Sequence, residues 1–247
     1  MDCVILAAGY GTRLQKELDD QHEALRDYPK ALLPVGNTCL LDILLAWLPS
    51  DIGKIVLVTN DLYYQKFYTH LGGRDVFIIN DGTRRPEDRL GAVGDLVLAL
   101  EHVRDDFVLL ASDLRFYAAF DELLSAFKKK RGSIHLCYIE TGERILQKGV
   151  LELDVNNKIV GFEEKPKKPK TDIAATPVYF IQKQAIPHII EYRKRHPDRI
   201  DRPGDMISHL IQKTPWFAHL ADKPPLDIVG LQSYTDMAGR LSHGSPT

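Results

Sequence analysis

Cysteine is scarce in this chain: Cys3, Cys39 and Cys137 are three, an odd number, widely spaced and each in an apolar context. They form no CxxC pair and sit in no His-rich run, so the expectation is free buried thiols in a reducing cytosol. No apolar run approaches the ~18 residues that span a bilayer. Neither sign of charge dominates: 32 Lys and Arg stand against 34 Asp and Glu, for a net charge of -2. Bulk electrostatics therefore point to neither nucleic acid nor a membrane surface as partner, and any anion binding must be local. The nine histidines are scattered, with no HExxH and no evident catalytic partner. No basic leader with a cleavage site opens the chain, which gives a cytoplasmic location as the expectation. Internal repeats and Pro/Ser-rich linkers are missing too.

What is present alternates. Over the first half, apolar runs of about five residues (CVILAA, KIVLVTN, DVFIIN, FVLLAS) alternate with longer amphipathic segments (LLDILLAWL, LYYQKFYTHL, VGDLVLALEHV, FDELLSAFKKK). That pattern predicts βαβ units and a mostly parallel sheet flanked by helices. SIHLCYI reads as a further strand. The second half changes grain: GVLELD and KIVGFEEKP read as strands around a turn at Asn156 and Asn157, and AATPVYFI as another strand. Helices are expected over about 184–195 and 205–213, then a strand WFAHLA, a strand end at PLDIVG, and a helix from Gln232. The expectation is one domain with two lobes, about 1–140 and about 141–235.

The run CVILAAGYGTRL leads from the first buried strand into a loop with Gly9 and Gly11, closed by Arg13. A glycine turn at the carboxyl end of a strand lies where α/β sheets bind ligands, and its amides can approach an anion. It is no P-loop, which needs Gly-Lys-Ser/Thr, and no Rossmann fingerprint, since position 14 is Leu. A tight turn with a surface Arg and a phosphate cradle remain open on these residues alone. YPKALLPVG places Lys30 in a Pro-bounded loop, RLGAVGDL holds Gly91 at a helix start, and FVLLASDL puts Asp113 just past a buried strand. An acidic residue there must be solvated, paired or metal-bound. The basic run KPKKPK, rich in proline, reads as an extended solvated loop.

LAAGYGTRL followed by PKALLPVG resembles the nucleotidyltransferases that make sugar nucleotides, the nucleotide-sugar pyrophosphorylases, and the second half is similar to their glucose-1-phosphate thymidylyltransferase branch. The resemblance runs from Cys3 to about Tyr234 and implies a Rossmann-like fold with an inserted or appended lobe for the acceptor. It implies that Leu6, Ala7, Ala8, Gly9, Gly11, Thr12, Arg13 and Lys30 bind the nucleotide, with Asn80 and Gly91 near the base. It further implies that Asp113 and, from the late segment PLDIVG, Asp227 hold Mg²⁺. GVLELD…GFEEKPKKP implies a sugar-phosphate site of Gly149, Glu164 and Lys165, with Arg13, Lys30 and Lys165 as the catalytic cations. Ser112, Thr176-Pro177 and Val229 stand where the family has glycine. Between Arg13 and Lys30 the segment KELDDQHEALRDY is longer than the family's connection and is expected to be a solvated insertion.

The implied reaction joins an NTP to a sugar 1-phosphate, giving an NDP-sugar and pyrophosphate. The attacking phosphate oxygen is already ionised, so the protein's part is positioning and charge stabilisation, with no nucleophilic Ser, Cys or His. Two other readings stay open: cytidylyl transfer to phosphocholine, a phosphonate or another small phosphate, and a non-catalytic nucleotide or sugar sensor. Base, sugar and oligomeric state are not readable from these residues.

Overall fold

The computed structural model describes residues 1–18, 20–198, 201 and 203–242; within the charged insertion, Asp19 lies outside the described residues. The first half runs β1 (Asp2–Leu6), α1 (Thr12–Glu17), β2 (Pro34–Val35), β3 (Thr38–Cys39), α2 (Leu40–Trp47), β4 (Ile55–Thr59), α3 (Asp61–Leu71) and β5 (Phe77–Asn80). It continues with α4 (Gly91–Leu100), β6 (Phe107–Ala111), β7 (Leu114–Arg115), α5 (Phe120–Lys130) and β8 (Ser133–Ile139). The second half holds β9 (Gly149–Leu153), β10 (Ile159–Glu164), β11 (Ile173–Ile181), α6 (Ile186–Arg195), α7 (Pro203–Leu210), β12 (Trp216–Ala221), β13 (Leu226–Asp227) and α8 (Leu231–Ser242). Each strand and helix expected from the apolar pattern forms, with ends shifted by a few residues.

One nine-stranded sheet runs through both halves. On one side β5, β4, β1 and β6 lie parallel in that order. Register sets Leu6 beside Val58 and beside Ala111, so the loops that follow β1, β4 and β6 leave the sheet along one edge. Such an edge is where open α/β sheets bind ligands. Beyond β6 the sheet turns antiparallel, with β11 pairing β6 and β8, and β12 running parallel to β8.

The central strands β1, β4 and β6 are buried on both faces, and the alternation of their side chains divides the core. Val4, Val56 and Val58 pack with α4, α6 and α7 through Leu96, Ile189 and Met206. Cys3, Ile5 and Leu57 pack with α2, α3 and α5 through Leu41, Phe67 and Leu123. The result is a three-layer arrangement of helices, sheet and helices. A smaller cluster joins Leu14 of α1 to Ile228 and to Met237 of α8, tying the start of the chain to its end.

The sheet forks at Thr176 and Pro177. Along one edge of β11, Val178–Ile181 pair with β6, whereas Ala174 pairs with β9. Along the other edge, pairing with β8 jumps from Ala175↔Cys137 to Tyr179↔His135, so β11 carries two more residues than its partner. Such a bulge bends a strand and redirects its side chains, and it accommodates a proline that has no N–H to give to a ladder. The fully buried His135 donates from Nε2 to the Thr176 carbonyl at 2.8 Å, and the Thr176 hydroxyl donates to the Leu136 carbonyl at 2.6 Å. Burial holds the His135 pKa down at about 4. The imidazole is therefore neutral and supplies the one donor the bulge needs.

Candidate active site

The glycine loop is pinned rather than loose. Asn60 donates from Nδ2 to the Ala8 carbonyl at 2.9 Å, and the Tyr63 hydroxyl to the Tyr10 carbonyl at 3.2 Å. Tyr10 is buried with its hydroxyl 2.7 Å from Thr83 Oγ1. What the loop presents outward is backbone. A Cβ on Gly9 would meet nothing within 4 Å, so its surface is open to a ligand. Gly11 has φ 61°, the left-handed region that glycine tolerates, and introduces α1. The Lys30 side chain packs over it, its Cγ 3.5 Å from where a Cβ would sit. Arg13 projects from α1 into solvent.

Asp113 stands between β6 and β7, two residues past Ala111. The short pair β7–β13 sets Asp227 opposite Leu114, and the Ile228 amide donates to the Asp113 carbonyl at 3.2 Å. Two carboxylates far apart in the chain thus line one cavity, together with Lys30 and Lys148. Lys30 Nζ donates to the Ile228 carbonyl at 2.5 Å and stands 3.6 Å from Asp113 Oδ2. Lys148 Nζ stands 3.7 Å from Asp227 Oδ2. Burial pushes the Asp113 carboxyl above the usual carboxylate range; Lys30 opposes this and Asp227 adds to it. The chemistry fits magnesium: hard oxygen donors, side chains 37% and 39% exposed, and room for waters that this ion keeps.

On the other side of the fork, Glu164 ends β10 and Gly149 begins β9 as its register partner. A Cβ on Gly149 would lie 3.2 Å from Glu164 Oε2, and one on Gly204, in the first turn of α7, 2.5 Å from the same oxygen. Two glycines thus leave space around one carboxylate and around the Phe162 ring. Lys165 is exposed and has φ 49°, a left-handed conformation that is strained for a side chain of this size. Its amide donates to the Lys148 carbonyl at 3.0 Å, which fixes the loop next to the Asp227 pair.

A second cavity, of about 280 Å³, adjoins the first at Lys30 and Asp113 and reaches Leu6, Ala7, Ala8, Gly9, Gly11 and Gly91. Pro177 at the fork lines both cavities. Thr12, Arg13, Gly149, Glu164 and Lys165 lie outside the walls of both. Asn80 is turned away: its Nδ2 donates to Asp61 at 2.6 Å and its Oδ1 accepts from the Gly82 amide at 2.9 Å. Lys148 and Asp95, both in cavity walls, escape a reading by motif. The charged insertion is less detached than expected, since Glu17 Oε2 accepts from the Leu231 amide at 2.7 Å and ties α1 to α8. Cys39 is a free buried thiol, as expected, and lies 3.6 Å from His70 Nε2 and 3.2 Å from Asp42. Arg74 also holds that Asp42 carboxylate, at 2.5 Å, so the group is a neutralised network at the start of α2.

The profile of the nucleotidyl transferase family matches residues 2–241. The chain belongs to this family. Among curated relatives, the bifunctional protein GlmU of Methanococcus maripaludis is 28% identical over 170 residues, covering 68% of the chain and 36% of that protein. A glucose-1-phosphate thymidylyltransferase of Mycolicibacterium smegmatis is 30% identical over 186 residues, 74% of the chain and 62% of that protein. The chain thus aligns with about a third to two thirds of the length of these relatives. A Bacillus anthracis protein, solved with sucrose and assigned as a candidate glucose-1-phosphate thymidylyltransferase, superposes with a TM-score of 0.83 at 21% identity. That superposition covers 100% of the chain and 97% of the other, and bears out the Rossmann-like, mostly parallel α/β fold.

Proposed function

We propose that this family member transfers a nucleotidyl group from an NTP to a sugar 1-phosphate, releasing an NDP-sugar and pyrophosphate, with Mg²⁺ as cofactor. The observation that carries the reading is the facing of Lys30, Asp113 and Asp227 across one cavity beside the open Gly9 backbone. Cations and carboxylates set together at a strand edge suit a polyanion and a divalent ion, and suit little else.

The residues divide the work. The Gly9–Thr12 amides and Arg13 receive the β- and γ-phosphates that leave as pyrophosphate. Lys30 leaves the Ile228 carbonyl and meets the α-phosphate, where charge builds up in the transition state. Asp113 and Asp227 would hold the magnesium ion, which when bound neutralises α-phosphate charge. Glu164 accepts hydrogen bonds from acceptor hydroxyls. Lys165, locked in its left-handed turn, orients the attacking phosphate for in-line displacement.

The test is pyrophosphate release by the pure protein with Mg²⁺, each NTP, and a panel of hexose 1-phosphates, phosphocholine and a phosphonate. Release with a hexose 1-phosphate supports the reading. Turnover confined to phosphocholine or the phosphonate would replace the acceptor class, and no release with any pair would sink the reading altogether.

A further inference from the structure

Helix α4 puts a carboxylate where its packing calls for a hydrocarbon. Gly91, Ala92, Asp95 and Leu96 share one face at i, i+1, i+4 and i+5, and all four line the 280 Å³ cavity. Asp95 is only 6% exposed, yet no donor among the described residues reaches its buried Oδ1. A buried carboxylate oxygen left without a donor is destabilising, so an alanine here would be the more stable choice.

The surroundings say what the group can accept. Burial raises the Asp95 pKa to about 7, and the negative field of Asp81 and Asp201 adds to it. Asp81 also has a buried oxygen, Oδ2, without a donor among the described residues. Among the described residues of this rim, the Arg89 cation is already committed: it donates from Nε to Asp201 at 2.7 Å. The α4 wall is therefore negative and rich in acceptors, whereas the Gly9 and Lys30 wall is built for phosphate. Ionised, above pH 7, Asp95 repels a phosphate or a carbonyl oxygen. A polarised N–H would be drawn to it and would satisfy Oδ1.

Resting on the nucleotidyl-transfer reading, we infer that Asp95 is a specificity-determining residue whose buried carboxyl takes an N–H donor of a substrate. That donor is the amino group either of the nucleotide base or of an amino-bearing sugar phosphate. Because α4 faces both the glycine loop and α7, the two sources share one chemistry and are separated by experiment.

Binding by calorimetry to the wild type, Asp95→Ala and Asp95→Asn provides the test, with pairs of ligands that differ only in amino against oxygen. The base arm compares CTP with UTP and ATP with ITP; the acceptor arm compares glucosamine 1-phosphate with glucose 1-phosphate. In one arm the wild type is expected to prefer the amino member by about 10- to 100-fold. Asp95→Ala should reduce that ratio to within about twofold, and Asp95→Asn, which keeps a carbonyl acceptor, should retain part of it. Equal wild-type affinity in both arms, or a preference that survives in Asp95→Ala, would overturn the inference. So would variants that lose thermal stability with the ratio intact, since that marks a purely structural carboxyl. If no NTP binds the wild type at all, the nucleotidyl-transfer reading itself falls, and this inference with it.

Discussion

The parallel and antiparallel sides of the sheet build their shares of the site by different means. On the parallel side, Gly9, Lys30 and Asp113 hang from connections that follow or face β1 and β6, and the strands beneath them are buried and regular. The ligand surface there is open: a Cβ on Gly9 touches nothing. On the antiparallel side the site depends on irregularity, a two-residue bulge propped by His135, a left-handed Lys165 and two glycines pressed against Phe162 and Glu164. One side positions groups by register, the other by local strain and tight packing. Substitutions on the first should cost catalysis without stability, and at the tightly packed glycines of the second, Gly149 and Gly204, both together.

The largest effect tests that separation. Asp113→Asn keeps the shape of a half-exposed side chain while removing the charge that would hold magnesium. It should lower kcat/KM for pyrophosphate release by roughly 10²- to 10³-fold with the melting temperature unchanged. Lys165→Ala should lose a similar factor; alanine keeps a Cβ on the same left-handed backbone, so the strain stays and the melting temperature of this exposed position should hold. Near-normal turnover in either variant would remove that residue from the chemistry; a melting loss in Asp113→Asn would erase the contrast between the two sides.

His135 gives a stability test confined to the fork. Its folded pKa of about 4 lies below the ordinary histidine value of 6.5, so the unfolded chain binds the extra proton. Its contribution is present above pH ~6.5 and is lost as pH falls toward 4, by up to ~3 kcal/mol. His135→Gln offers an amide donor to the Thr176 carbonyl and does not titrate. Urea midpoints of the two proteins followed between pH 7.5 and 4 should converge, or cross, as the wild type loses more. Parallel profiles would show that protonation at the bulge is not felt by the fold.

Glycines on the two sides sharpen the comparison further. Gly204→Ala would set its Cβ 2.7 Å from Phe162 Cζ and 2.5 Å from Glu164 Oε2. The overpacking should cost ~1–3 kcal/mol and raise KM for the acceptor phosphate. Gly9→Ala should leave the melting temperature in place and raise KM for the NTP alone. A Gly9→Ala protein that melts early, or a Gly204→Ala protein that does not, would reverse the assignment of packing to one side and open surface to the other.

Legibility in the sequence follows the same division. The parallel side announces itself because its information is local: an apolar run, then glycines, then a basic residue, or an apolar run ended by Asp113. Periodicity likewise yields the strands and helices, since each face of the sheet is covered and each helix is amphipathic. The bulge does not show, because SIHLCYI reads as an ordinary core strand and the use of His135 depends on a partner 41 residues away. Asp95 is hidden for a related reason. It falls on the inward face of a helix, and only the cavity beside that face reveals that a carboxylate there has something to meet. Cys39 and His70 meet across α2 and α3, a proximity that no spacing encodes.

Lys148 is the residue on which the two sides touch, and it carries the smallest predicted effect. Its ammonium pairs with Asp227, a group of the parallel side's cavity, while its carbonyl accepts from the Lys165 amide on the other. Both side chains of the pair are about a third exposed, so the ion pair itself should add well under 1 kcal/mol to stability. Under the proposed reaction its value would lie in position: a further cation beside the point where two phosphates meet would lower their mutual repulsion. Lys148→Met retains the stem and the backbone contact but not the charge. KM for the acceptor phosphate should rise about tenfold in low salt, kcat should change less, and added salt should narrow the gap, because a surface charge is screened over roughly 10 Å. A fall in kcat at unchanged KM would instead place the Lys148 charge in the transition state, alongside Lys30, and move the boundary between the two sides onto this residue.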